Sequence, residues 1–317
     1  MQEAHINKYT NGSNNEIDLR ELFFILFRGK WIIVSVTGFL SIIGLLYSLL
    51  LPNIYESKAI LVPVNSSNGI SGAFQNYSGL AGIAGITLPS NNDEGNSAKA
   101  IRKMSSLSFF ENNILPNIYL PDLMAVKFWN SDTKKIDYDK SIYNIQTKNW
   151  IRDYSYPNKQ IPSAQESFQV FLSNHLNLSE DKKSGFITLS IKHQSPYVAE
   201  QWARLIINEV NEFYREKDKS ESQRAAAYLN QQISITSLSE IKFVFTQLLQ
   251  EEFKKLTLIE ANQSYVFDYI DPPAVMEKKS EPKRVLICII SALLGVLLSI
   301  VLVFIKHFAT KDQEVEA

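Results

Sequence analysis

Of the 317 residues only one is cysteine, Cys288, and four are histidine. A single thiol excludes an internal disulfide and a thiolate zinc cluster. Histidines 5, 175, 193 and 307 are scattered, with no nucleophile or carboxylate recognisably arranged beside them. His193, at the end of an alternating apolar stretch, reads as structural rather than catalytic. The sequence also lacks GxSxG and HExxH, so hydrolase readings find no anchor. Charge of one sign is missing as well: the formal net charge is -1, with no sustained basic stripe, which sets nucleic acid aside as a partner. The only Gly-Lys pair, Gly29-Lys30, is followed by Trp31, so no phosphate cradle is present and no nucleotide or other cofactor is expected.

What is present is apolar and concentrated near the ends. WIIVSVTGFLSIIGLLYSLLL (31–51) and VLICIISALLGVLLSIVLVFI (285–305) carry no charge. At about 21 residues and 1.5 Å each, either run spans roughly 32 Å, the thickness of a bilayer's hydrocarbon core. Both read as transmembrane helices. A cleaved signal peptide is the rival for the first. The run is longer than a usual signal core, about 30 residues precede it, and no small-x-small cleavage pattern follows. Arg20, Arg28 and Lys30 precede the first span, whereas Lys58 is the only base in the dozen residues after it. The N-terminus is therefore expected on the cytoplasmic side, and a second span returns the C-terminus there. Lys278, Lys279, Lys283 and Arg284 on the outer flank of the second span argue less cleanly, but a first span usually dominates. The expected plan is a cytoplasmic segment 1–30, span 31–51, an outer domain 52–284, span 285–305 and a cytoplasmic tail 306–317.

Within the spans, Thr37, Ser41, Gly44 and Ser48 share one helix face, and Ala292, Gly295 and Ser299 share another. Small residues on one face let helices approach closely in lipid, although glycine and serine are common in such helices anyway. No ionisable side chain interrupts either span, which disfavours an ion path.

The outer region mixes both periodicities. YESKAILVPV predicts a strand near 55–64, and FITLSIKH another at 186–193. Residues 94–115 and 164–176 have helical spacing. The stretch 65–97, with glycines at 69, 72, 79, 82, 85 and 95, reads as a loop whose Leu80, Ile83, Ile86 and Leu88 tuck against this subunit or a neighbour. Residues 117–160 are polar, aromatic and irregular. Before the first span, Asp18 and Glu21 resemble a capped helix start. Ser195 and Pro196 mark the start of a long helix with Ala199, Trp202, Ile206, Val210 and Phe213 on its apolar face. REKDKSESQR (215–224) continues it as a solvated surface, Ser237 and Glu240 form a capping box for a second helix to about 262, and a short turn makes the pair an antiparallel hairpin. SYVFDYI (264–270) returns as a strand. The fold class expected is therefore an α+β membrane protein: two transmembrane helices flanking an α/β base that carries a long antiparallel helical hairpin at about 196–262.

These segments in this order resemble the Wzz-type chain-length determinants, or polysaccharide co-polymerases. The resemblance rests on IDLRELFFILFRGKW before the first span, YESKAILVPV after it, SGLAGIAGI, SIKHQSPYVAEQWARLIINEVN, and YVFDYIDPPAVMEKKSEPKR running into the second span. It covers nearly the whole chain apart from about 117–160. It implies a non-catalytic protein of the bacterial inner membrane with a periplasmic domain, assembled into a ring-like homo-oligomer, the octamer among the sizes left open. The partner implied is a Wzy-like polymerase, with a polysaccharide or lipid-linked glycan as a further one. The activity implied is control of the length of a surface polysaccharide such as lipopolysaccharide O-antigen. It places Pro272, Pro273 and Pro282 in a proline-rich pre-membrane segment, where Met276 and Glu277 replace a frequent further proline. Tyrosine-kinase relatives carry a nucleotide domain after the second span. KHFATKDQEVEA is too short for one, or for a sensor's output module. An adaptor for capsule or exopolysaccharide export, working with a separate kinase, is the alternative. A scaffold or ligand-binding module with no polysaccharide role is a third reading.

Overall fold

The computed structural model describes residues 19–64, 96–262 and 264–315. The glycine-rich loop, the Asp18 cap and the N-terminal segment before it lie outside the described residues. Along the chain the helices are α1 (Leu19–Arg28), α2 (Lys30–Leu50), α3 (Asn96–Met104), α4 (Leu120–Met124), α5 (Ala164–Val170), α6 (Pro196–Ile235), α7 (Ser239–Ala261) and α8 (Arg284–Val315). The strands are β1 (Tyr55–Pro63), β2 (Val126–Asn130), β3 (Lys135–Tyr138), β4 (Tyr143–Asn144), β5 (Asn149–Trp150), β6 (Leu176–Glu180), β7 (Ile187–His193) and β8 (Phe267–Asp271). The chain divides into two units, one of residues 1–52 with 282–317 and one of residues 53–281.

In the first unit α2 and the Arg284–His307 part of α8 are long and apolar enough to cross a membrane. Large side chains stay exposed all along them, including Trp31, Leu50, Val285, Leu293 and Leu297. Only a narrow seam is buried, with Gly44, Ser48, Gly295, Ser299 and Val303 in it. The rest of the pair forms a wide exposed apolar belt.

The second unit is built on a four-stranded sheet in the order β6-β7-β1-β8, antiparallel throughout. Period-2 alternation sends Ser57, Ala59 and Leu61 of β1, and Ile187, Leu189, Ile191 and His193 of β7, to one buried face. Against that face lies the first half of α6, burying Ala199, Trp202, Ala203, Ile206, Ile207 and Val210. Phe109, Phe110 and Phe171 complete the core. The predicted helix 94–115 is interrupted. Ser106 Oγ donates to Lys103 O and accepts from Phe109 N, ending one helix and capping the next turn. The chain then widens into a π-turn at Phe110–Ile114, and a second π-turn, Phe171–His175, follows α5 where a plain helix to 176 is expected. The two seat Phe110 against Phe171, ring centroids 5.1 Å apart.

Past Tyr214 the buried positions on α6 thin out to Ser222 and Ala226, and its partner there is α7. The hairpin is antiparallel: Arg215 Nη2 donates to Asn262 O, and Lys219 Nζ lies 2.5 Å from Glu260 Oε1. Its distal half, from Arg215 to Ile235, runs about 30 Å at 1.5 Å per residue. The capping box at Ser237 does not form. The break falls at Thr236–Leu238, Leu238 occupies the cap position without a side-chain hydrogen bond, and α7 starts at Ser239. Ser195 likewise holds the cap position of α6 with no hydroxyl cap, and its N–H donates to His193 Nδ1.

Residues 126–150 hold two small hairpins, β2-β3 and β4-β5. They repeat one device. Asn130 Oδ1 accepts from the N–H groups of Asp132 and Thr133, and Asn144 Oδ1 from those of Gln146 and Thr147. Lys134 and Lys148, four residues on, take positive φ of 53° and 54°. NSDTK and NIQTK are thus two copies of one turn sequence, with asparagine supplying the local acceptor.

Candidate functional site

Three places collect the residues that matter. The first is the seam between α2 and α8. A Cβ on Gly295 would stand 2.9 Å from Thr37 Cα and 3.4 Å from Leu40 Cβ. One on Gly44 would run into the Ser291 hydroxyl. Gly29, not singled out by the sequence, closes the seam, where a Cβ would meet Val303 at 2.6 Å. Ser48 and Ser299 are fully buried there, and Thr37, Ser41 and Ala292 half-buried. Ser41 and Ser299 turn their hydroxyls back onto the carbonyls of Thr37 and Val296. The small faces therefore meet within one chain, and the two helices run antiparallel, since 29, 37 and 44 oppose 303, 295 and 291.

The second is the pre-membrane segment. Pro273 is buried, and its carbonyl accepts from Arg204 Nη2 at 3.4 Å; Pro272 is exposed. Ala274 O accepts from Ser57 Oγ at 2.8 Å. The segment then pairs with the start of β1: Ile54 N donates to Glu281 O, Ser280 N to Ile54 O, and Lys279 Nζ to Asn53 Oδ1. Prolines leave carbonyls free to accept while removing the N–H that would draw the segment into a longer ladder. Pro282 opens the other unit, its carbonyl accepting from Arg284 N.

The third, missed at the sequence level, is a cleft of about 540 Å³ between α4, the π-turn after α5 and the end of β7. Leu123, Met124, Val126, Val170 and Ile54 supply apolar wall, and Ser173, Asn174, His175, Lys192, Gln194 and Glu281 supply polar groups. His193 is 2% exposed. Its Nδ1 accepts from Ser195 N, so Nε2 carries the proton and donates to Asp122 O at 2.9 Å. Burial pushes its pKa down to about 4. His175 Nδ1 sits 2.7 Å from Lys192 O and donates to it, and burial lowers this imidazole as well. Both rings pack on Trp202, centroids 5.1 and 5.4 Å away. Burial raises the Asp122 carboxyl, which accepts from Tyr138 Oη. Lys192 Nζ is 2.6 Å from Glu281 Oε1. Among the described residues no group of histidine, cysteine and carboxylate side chains could hold a metal ion. The sequence signal for the cleft was thin: His-Gln-Ser-Pro marks the strand-to-helix junction, but Asp122 and His175 come from elsewhere in the chain.

Residues 15–112, which include α1, α2 and β1, match the family model described as Wzz, chain length determinant protein. That stretch, under a third of the chain, is similar to the Wzz chain-length determinants. Residues 240–308, from α7 into the second apolar helix, match a further model described as a G-rich domain on putative tyrosine kinase. A solved "full-length bacterial polysaccharide co-polymerase" shares 15% identity and a TM-score of 0.39, covering 93% of this chain and 99% of that one. A fragment of WzzB, a polysaccharide co-polymerase from Salmonella Typhimurium, shares 13% identity and a TM-score of 0.30, covering 72% of this chain and 100% of the fragment. No curated protein matches the chain in sequence.

Proposed function

We propose that this protein is a non-catalytic regulator of surface polysaccharide length, acting in the bacterial inner membrane on O-antigen. The observation that carries the reading is the match of residues 15–112 to the chain length determinant model. Two helices able to cross a membrane flank the α/β unit, which supports the arrangement with 1–30 and 306–317 cytoplasmic, 31–51 and 285–305 in the bilayer and 52–284 periplasmic. Copies assemble into a ring, the octamer among the sizes open to it. Subunits associate through the base; the small-residue faces of the spans, read from the sequence as a second contact between subunits, already meet each other within one chain. The ring biases when a Wzy-like polymerase releases its growing chain, contributing binding and geometry and no bond-making. Deleting the gene and separating the lipopolysaccharide on a gel tests this: loss of the modal ladder is expected, and an unaltered ladder refutes it.

The match of residues 240–308 to a domain found on tyrosine kinases favours one second reading, an adaptor for capsule or exopolysaccharide export with a separate kinase. Neighbouring genes for an export channel and a stand-alone kinase would select it; a neighbouring polymerase and flippase would select O-antigen.

A further inference from the structure

The cleft under the root of the arm has the chemistry of a site for an uncharged, hydroxyl-rich ligand. Its volume, about 540 Å³, falls within the range of roughly 300–1,000 Å³ usual for ligand cavities. Its charges are spent internally. Lys192 is paired with Glu281, Asp122 is engaged by Tyr138 Oη, and both imidazoles are neutral at pH 7. No surplus positive charge remains to attract a phosphate or an acidic polymer. What remains is a set of neutral hydrogen-bonding groups beside an apolar wall. Gln194 Oε1 is buried and has no hydrogen-bond partner within the protein. Such an acceptor costs free energy until a donor reaches it. The His175 proton sits on Nδ1, so Nε2 keeps a lone pair that can accept. Asn174, whose Oδ1 takes the Ser173 hydroxyl at 3.2 Å, adds an amide that can donate.

A sugar ring suits that combination. Each hydroxyl both donates and accepts, which answers a mixed rim, and the C–H face suits Met124, Val126 and Val170. We propose that this cleft binds a short segment of uncharged glycan, held by Gln194, Asn174 and His175 against the Leu123–Val126 wall. The proposal deepens the polysaccharide reading above and rests on it. Gln194 lies between His193, which ends β7, and Ser195, at the cap position of α6. Occupancy is therefore sensed at the residue from which the arm starts.

The test uses the full-length protein in nanodiscs. The probe is the host's own surface polysaccharide, freed of lipid by mild acid, with polyglutamate as an acidic control. Binding is read by tryptophan fluorescence, since Trp202 packs on both histidines, and located by hydrogen exchange. Expected are saturable binding of the neutral polymer, protection at 122–126, 171–175 and 192–195, and no competition from polyglutamate. Gln194→Leu should weaken binding about tenfold or more, the scale of a lost buried hydrogen bond. Asn174→Ala should weaken it less, and Tyr156→Ala, at a side chain 97% exposed, not at all. Gln194→Leu removes an unsatisfied acceptor, so it should fold at least as well as the natural protein. Wild-type affinity in Gln194→Leu, protection confined to other segments, displacement by polyglutamate, or no binding at all would each overturn the proposal. So would protection of the cleft that rises with protein concentration without glycan, since a second copy would then fill it. Failures separate in cells. An unchanged ladder after gene deletion sinks the polysaccharide reading, whereas an altered ladder with no glycan bound by the pure protein sinks the cleft assignment alone.

Discussion

His193 shows how one side chain ties stability to acidity. The folded protein holds it neutral with a pKa of about 4, while the unfolded chain binds a proton near 6.5. Its contribution is complete above about pH 6.5 and is lost as pH falls toward 4, because only the unfolded state takes up the proton in that window. At 1.36 kcal/mol per unit, that is at most about 3 kcal/mol. Asp122, whose folded carboxyl is raised, works in the opposite sense and offsets part of the loss. A melting temperature that falls between pH 7 and 5 in the natural protein, and falls less in His193→Gln, is the expected result. Glycine carries the second residue-level effect. Gly295→Val places a branched side chain against the Thr37 backbone, which cannot yield as a flexible side chain could. The α2–α8 pair should lose about 1–3 kcal/mol, measured by SDS-induced unfolding in mixed micelles. Gly38→Val, where a Cβ meets nothing within 4 Å, is the control expected to change little.

Among the elements, the junction of arm and sheet depends on Asn211. Its Oδ1 accepts from Val266 N and Phe267 N, and its Nδ2 donates to Phe267 O. Asn211→Leu leaves two amide protons and a carbonyl without partners, and about 2–4 kcal/mol of stability should go with them, read from urea unfolding followed by circular dichroism. Strands β1 and β7 were legible because alternation and branched residues mark a half-buried strand. The long arm was legible from its apolar spacing and the Ser-Pro start. The break after Met104 was not, since Ser105 and Ser106 look like ordinary helix positions until Ser106 finds two backbone partners. Strand β6 was not read, apart from Leu176 at the end of the expected helix, because Leu176–Glu180 is five residues on a sheet edge. The paired hairpins left a trace in the repeated Asn-x-x-Thr-Lys, too short to read without knowing that each lysine takes a left-handed backbone. The seam glycines were visible as a face, whereas Gly29 lay just before the apolar run. The cleft was invisible because its walls come from segments over 200 residues apart.

At the scale of the whole molecule, the proposed topology has a direct check. With Cys288 changed to serine, Tyr156→Cys should react with a membrane-impermeant maleimide in spheroplasts, and a cysteine at Lys306 should react only after lysis. The reverse labelling would invert the chain in the membrane. The zipper of Asn53 and Ile54 to Lys279–Glu281 has a consequence for how such proteins diversify. The strand that opens the 53–281 body and the segment that closes it are fastened side by side, so the body behaves as a cassette with a single clasp. Grafted onto another pair of anchors it would need only two neighbouring splices, and a swap of that kind would reveal which half of the molecule holds the ruler.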